Sequence, residues 1–415
     1  MHQHKGTIGI IVLILMILAV IFLVEWIKAD AKHQPKSIVT TIHGDARTSR
    51  AFTWYTVNPN ADTVLQLIQG KDPANWNQDQ VMTVQGSTTT IETSKGTWQG
   101  VHKVTVTGLA PGTEYSYRVG SGKSNEWSDP AQFLTEADDT EAFTFIHITD
   151  SQGTTEQDFD LWGKTLNRAF QQFPEARFIV HGGDLTEDPD NEQGWDYFFQ
   201  KSRTWLQQIP LQPVTGNHEE INEDAERFTS HFIVPDNGAE DSTPGTNYSF
   251  DYGNAHITVL NTESNIDGQT EWLRADLAAT DKPWKIVAMH RPAYGGNITK
   301  NLKDWVKVFD EFQVDLVLQG HNHEYMRSYP LRNGKIVMEE DRPVQHHEGT
   351  VYVVTNASGP KFNKQKKEQF YHKVHFQNES QMFAGITIDH RTLTFQAYDV
   401  EGNRLDSFVI QHDEE

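Results

Sequence analysis

Five short apolar runs in this chain each read as a buried strand, and each ends on side chains that bind cations. Phe143–Thr149 leads into Asp150 and Gln152, Phe178–His181 into Gly182-Gly183-Asp184, and Leu211–Thr215 into Gly216-Asn217-His218. Ile286–Met289 leads into His290, and Val314–Gln319 into Gly320-His321-Asn322-His323. Carboxylate, amide oxygen and imidazole are donors for a hard or borderline divalent cation. In open α/β sheets, sites form at the carboxyl ends of strands, so this grammar demands a sheet that gathers five strand ends in one place. Taken singly the motifs are weak. Asp before Gly is commonly a turn or a helix cap, Gly-Asn-His a turn, and a lone His a packed loop residue. Two imidazoles in Gly-His-x-His, closing a strand, have few packing reasons to exist. The ordered set is what points to a metal centre.

Charge narrows the partners. Lys and Arg number 35 against 57 Asp and Glu, a formal net charge of −22, which disfavours a phosphate backbone as ligand, so no nucleic-acid partner is expected. The notable cationic run, Lys361–Lys367, reads as a solvated loop or as a contact for an anionic ligand. The chain has no cysteine, which excludes disulfides and thiolate ligands. Behind Lys5, the uncharged stretch from Gly6 to Val24 is long for a signal-peptide core and near the lower limit for a membrane span. Ala29-Asp30-Ala31 offers a small-x-small cleavage pattern. Residues 1–31 therefore read as a cleaved signal or a retained anchor, and both place the remainder outside the cytoplasm, secreted or membrane-attached.

Two grammars follow. From Ser37 to about Glu136, short strands such as Arg50–Val57, Val101–Thr107 and Thr113–Val119 alternate with turns such as Gly108-Leu109-Ala110-Pro111-Gly112, which predicts an antiparallel sandwich. Glu136–Glu141 is a polar connector. From 142 to 412 strands alternate with helical stripes: Phe159, Trp162, Leu166, Phe170 and Phe173, then Trp195, Phe199, Ser202 and Leu206, then Leu302, Trp305, Val306 and Phe309. These stripes read as core faces. Thr350–Thr355, Phe383–Asp389, Leu393–Tyr398 and Ser407–Ile410 return to strands, with turns at His390-Arg391 and Glu401-Gly402-Asn403.

The blocks Asp150-Ser151-Gln152, Gly183-Asp184-Leu185-Thr186-Glu187, Gly216-Asn217-His218-Glu219, His290 and Gly320-His321-Asn322-His323 resemble those of the calcineurin-like metallophosphoesterases, and within them the purple acid phosphatase-like group. Val104–Val119, with Trp127 and Phe133, is similar to a fibronectin type III domain and to the domain that precedes the catalytic part in purple acid phosphatases. The resemblance implies an α/β (α+β) fold, a four-layer α/β/β/α sandwich preceded by an all-β sandwich and an N-terminal hydrophobic helix. It implies two metal ions, Fe, Mn or Zn, that acidify a shared water and clamp a phosphoryl group. Asp184 is the implied bridge, Asp150, Gln152 and His323 complete one ion, and Asn217, His290 and His321 complete the other. His218 is the implied general acid, and it contacts the phosphate together with Asn217; Arg291 is an expected further substrate contact. The expected substrate is a small phosphomonoester. A phosphodiesterase or nucleotidase on the same core, and a decayed cell-surface binding module, remain alternatives. Two positions depart from the family pattern: Glu187 stands where the purple enzymes carry a tyrosine ligand, and Gln152 where the wider family carries histidine. Gln152 is the weakest expected ligand, and without a tyrosinate the metal-loaded protein is expected to be colourless.

Overall fold

The structure, a computed structural model, describes residues 15–17, 20, 34–71, 76 and 79–413. Most of the expected N-terminal hydrophobic helix lies outside these residues. Among the described residues no helix is long and apolar enough to cross a membrane, which says nothing of a β-barrel.

The first part of the chain forms two four-stranded antiparallel sheets. One orders Lys36–Thr41, Ser49–Thr56, Thr97–Thr107 and Ser87–Ser94; the other orders Met82–Gln85, Val64–Gln69, Glu114–Gly120 and Ala131–Leu134. Phe52, Trp54, Leu65, Leu67, Val104, Val106, Tyr117, Val119 and Phe133 fill the space between them. Alternation along each strand turns these side chains inward, as a sandwich requires.

The second part holds two seven-stranded sheets. The first runs Leu211–Pro213, Ile179–His181, Ala142–Ile148, Met382–Asp389, Thr392–Asp399, Arg404–Gln411, Val344–Gln345. Its first three strands are parallel, and Met382–Asp389 joins them antiparallel. The second runs Tyr248–Tyr252, Ala255–Leu260, Trp284–Met289, Leu316–Gln319, Val351–Val354, Tyr325–Ser328, His372–Phe376, with a parallel centre from Ala255 to Val354.

The sheets stack, with helices outside each. Ile286, Ala288, Leu316 and Leu318 share one core with Phe143, Phe145 and Phe178. Their neighbours Val287, Met289 and Val317 turn the other way, onto Leu273, Leu277, Trp305 and Phe309 of the helices Ile266–Ala279 and Lys303–Phe312. A strand buried on both faces needs an unbroken apolar run, which is why these segments read so plainly in the sequence. On the far side, Phe159, Trp162, Leu166 and Phe170 of Glu156–Gln172 and Trp195, Phe198, Phe199 and Leu206 of Glu192–Leu206 cover the first sheet. The result is the expected α/β/β/α layering. The helical stripe at Leu302 starts as a 3-10 turn, Lys300–Leu302, before the α-helix proper.

Candidate metal centre

The five expected strand ends lie on both sheets. Ala142–Ile148, Ile179–His181 and Leu211–Pro213 are the parallel strands of the first sheet; Trp284–Met289 and Leu316–Gln319 are central parallel strands of the second. All five point their carboxyl ends the same way, and the loops that follow meet between the sheets. Asp150, Asp184 and His323 offer donor atoms within 4.8 Å of one another, and so do Asp184, His290 and His321. Asp184 belongs to both groups.

The backbone is bent into this arrangement. Asp150, Asp184, His321 and His323 hold positive φ of 53, 55, 69 and 49°. Left-handed backbone is uncommon for residues with a Cβ and gathers where a site over-determines it. The neighbouring glycines permit the approach. A Cβ on Gly216 would sit 2.3 Å from Asp184 Oδ1, and one on Gly320 would sit 2.2 Å from Thr149 Oγ1.

Donor spacings fit ligands around shared cations. His290 Nε2 lies 3.1 Å from Asp184 Oδ2, and His323 Nε2 lies 3.1 Å from Asp150 Oδ1. His290 Nε2 is 3.3 Å from both Asn217 Oδ1 and His321 Nδ1. A cation bonding its ligands at about 2.0–2.2 Å sets adjacent donors roughly 3.0–3.5 Å apart. The imidazoles are also held from behind. His290 Nδ1–H donates to Gly182 O at 2.9 Å and His323 Nδ1–H to Lys361 O at 2.9 Å, which leaves each Nε2 to the acids. Gln152, almost fully buried, places its amide nitrogen 3.3 Å from both Asp184 Oδ2 and His323 Nε2, while its Oε1 is buried without a partner. Turning the amide over would put its oxygen among the donors, as a cation there would require.

Electrostatics agree. Burial opposes charge on His290, but the Asp184 carboxylate outweighs it and holds the imidazole up at about 10. Burial likewise opposes charge on His323, and Asp150 raises it. Burial pushes Asp184 and Asp150 upward, and the same histidines more than reverse it, so both acids lie below the ordinary carboxylate range. Buried carboxylates of this kind are stabilised by positive charge placed beside them. His321 is lowered to about 4 by burial, helped by His290 and Arg291, so it offers a lone pair.

His218 stands beside the acids. Its backbone N–H donates to Asp184 Oδ1 at 3.1 Å, its Nδ1–H to Glu187 O at 2.7 Å, and its Nε2 stays 3.9 Å from Asp184 Oδ2. That nitrogen faces an open cleft of about 460 Å³ lined by Gln152, Asn217, His218, His321, His323 and Lys361. The Glu187 side chain pairs with Lys361 at the cleft and belongs to neither acid–histidine group. Arg291, an expected substrate contact, is paired with Glu263 in this structure. Its guanidinium forks onto Glu263 with three contacts of 2.9 Å and sends Nη1 to His321 Nε2 at 3.1 Å.

The fourth residue of the Gly-Asn-His-Glu block has a structural place whose partners the sequence alone does not show. Glu219, buried to 1 % exposure, accepts N–H bonds from Asp184 (2.8 Å), Leu185 (2.7 Å), Thr186 (3.3 Å) and Gly216 (3.0 Å). It clamps the Asp184 loop to the Asn217 loop. Burial and the Asp184 charge push its carboxyl up to about 8, against those donors. Its place directly after Gly-Asn-His was the available signal, but a sequence does not show which backbone a carboxylate will reach.

A fold of two stacked sheets with acids and histidines at five strand ends is that of a metallophosphoesterase. The calcineurin-like phosphoesterase family model matches residues 143–325, and the purple acid phosphatase N-terminal domain matches residues 35–135. The chain thus carries a calcineurin-like phosphoesterase domain behind a purple acid phosphatase N-terminal domain. It is 26 % identical over 294 residues to the acid phosphatase type 7 of Mus musculus, covering 62 % of this chain and 64 % of that one. It is 25 % identical over 333 residues to purple acid phosphatase 18 of Arabidopsis thaliana, covering 74 % and 69 %. The solved purple acid phosphatase from yellow lupin seeds superposes with a TM-score of 0.79 over 92 % of this chain and 75 % of that one, at 19 % identity. The chain thus spans just under two thirds of the acid phosphatase type 7 relatives' length.

Proposed function

We propose that this chain is a dinuclear-metal phosphohydrolase acting on small phosphomonoesters. The observation that carries the reading is the pair of acid–histidine groups that share Asp184. Asp150, Gln152 and His323 would hold one ion, Asn217, His290 and His321 the other, and Asp184 both. Bound there, two ions would acidify water and neutralise the phosphoryl oxygens; Fe, Mn and Zn all suit the donors.

The remaining steps belong to the chain's own groups. His218, anchored through Nδ1 on Glu187 O, presents Nε2 to the cleft and protonates the leaving oxygen. Asn217 and His218 contact the phosphate. Arg291, its charge balanced by Glu263, would be a further substrate contact beside His321. Glu219 fixes the bend that delivers Asp184. Residues 37–136 and 142–412 would form the two domains, the first a fibronectin III-like sandwich. The apolar stretch 6–24 supports export, as a signal or an anchor.

The test is turnover of p-nitrophenyl phosphate by the purified protein, with EDTA and metal rescue. Metal-dependent release of nitrophenol is expected. Turnover of the bis-ester alone would favour a phosphodiesterase, and no metal-dependent turnover of either ester would favour a binding module.

A further inference from the structure

A second cluster of cation donors lies on the edge strand His372–Phe376 of the second sheet and the loop before it. Glu368, His372 and His375 offer donor atoms within 4.8 Å of one another. Both imidazole side chains are fully buried, while Glu368 is 64 % exposed and opens the cluster to solvent.

The hydrogen bonds reveal which nitrogens are free. His372 Nε2 lies 3.3 Å from Gly295 O and donates to it. Its Nδ1 receives the Gln369 N–H at 3.2 Å, so that atom carries a lone pair and no proton. Yet the same Nδ1 lies 3.4 Å from Glu368 Oε1, another acceptor. His375 Nδ1 lies 2.9 Å from Glu368 Oε2, and its Nε2 lies 3.3 Å from Glu324 Oε2. That Nε2 is buried and makes no hydrogen bond, and Glu324 Oε1, in a fully buried side chain, also lacks a partner. Two carboxylates and two imidazoles therefore face one another, with His375 Nε2 and Glu324 Oε1 left unpartnered.

We infer that Glu368 Oε, His372 Nδ1 and His375 Nδ1 form a further cation site for a zinc-class divalent ion, distinct from the centre built on Asp184. Two imidazoles and one carboxylate with a solvent-facing position form a common donor set for such ions. The partners behind the rings, Gly295 O and Glu324, are the kinds that orient ligating histidines. An ion there replaces the Gln369 N–H on His372. It also braces the wall of the neighbouring centre. Glu324 follows His323 directly, and the loop leading to Glu368 supplies Lys361 O, the acceptor of His323 Nδ1–H. The inference does not depend on the phosphohydrolase reading.

The experiment equilibrates the full chain with zinc sulfate, removes loose ions by desalting and counts zinc per chain by plasma mass spectrometry. His372→Ala and Glu368→Gln should each bind one ion fewer than the unaltered chain; Glu368 is exposed, so its variant keeps the fold even where His372→Ala does not. A double variant, Asp150→Asn with Asp184→Asn, should retain one ion and lose it when His372→Ala is added. Unchanged zinc counts in Glu368→Gln and His372→Ala would overturn the site. So would a Glu368→Gln variant that alters only the pH dependence of melting, which would make His375 a buried imidazolium between two carboxylates. An empty double variant would overturn it as well.

Discussion

At the scale of single residues, the centre rests on side chains whose roles separate by measurement. Asn217→Ala removes a neutral oxygen donor beside His290, so metal content should fall. His218→Ala touches no donor spacing, so metal content should hold while kcat drops by roughly 10²–10⁴, the usual worth of a positioned proton donor. Metal loss in the His218 variant would make it a ligand instead. Glu219→Gln trades a carboxylate that accepts four N–H bonds for an amide that accepts fewer. Metal affinity should fall by roughly 10–100-fold, as for other groups that orient ligands, with little change in the pH profile of turnover. Titration of apo-protein against zinc would read it. Glu187 pairs with Lys361, and with a carboxylate in the tyrosine's place the iron-loaded protein should show no strong visible band. An intense band would refute that assignment.

At the scale of elements, strand ends were legible because strands buried on both faces demand continuous apolar runs, and Gly must sit where loops press on acids. Ile286–Met289 and Phe143–Ile148 announce themselves for that reason. The helix Ile266–Ala279 did not, since it buries only Gln269, Leu273 and Leu277 and begins at Asn265 in left-handed backbone without a side-chain cap. The hairpin Tyr248–Leu260 was hidden for a related reason: its polar Ser249, His256 and Thr258 are satisfied by Asp276, which lies on that same helix. The ligand set could be read residue by residue, whereas Glu219 and the Glu263–Arg291 fork depend on distances that only the fold supplies. The connector carries its own prediction. Glu136 is 7 % exposed, accepts the Gly253 N–H, and is pushed up to about 7 chiefly by burial. A carboxyl raised on folding is bound more tightly to its proton in the folded state, so stability falls as pH rises from about 4.5 through 7. Glu136→Gln should flatten that fall. Thermal melts at pH 5 and pH 8 would detect it, and an identical pH slope in both proteins would contradict it.

At the scale of the whole molecule, the two parts share a core. Val39, Ile42 and Ala46 of the first part pack into the cluster that holds the first sheet of the second. Tyr55 stacks on His231 with ring centroids 4.4 Å apart, Tyr117 donates to Gln207 O at 2.7 Å, and Lys103 Nζ donates to Thr229 O and Phe232 O at 2.7 and 3.0 Å. Fully burying an aliphatic side chain is worth about 1.5–3 kcal/mol, so this contact is a large fraction of a domain's margin. A chain cut to residues 137–413 should aggregate or melt well below the full chain in calorimetry; equal melting would show that the first part is only an appendage. The most direct test of the centre is an anomalous difference map from manganese- or zinc-loaded crystals. The account predicts two peaks about 3.5–4 Å apart on either side of the Asp184 carboxylate, one against Asp150 and His323 and the other against His290 and His321. A single peak there, or none, would contradict it.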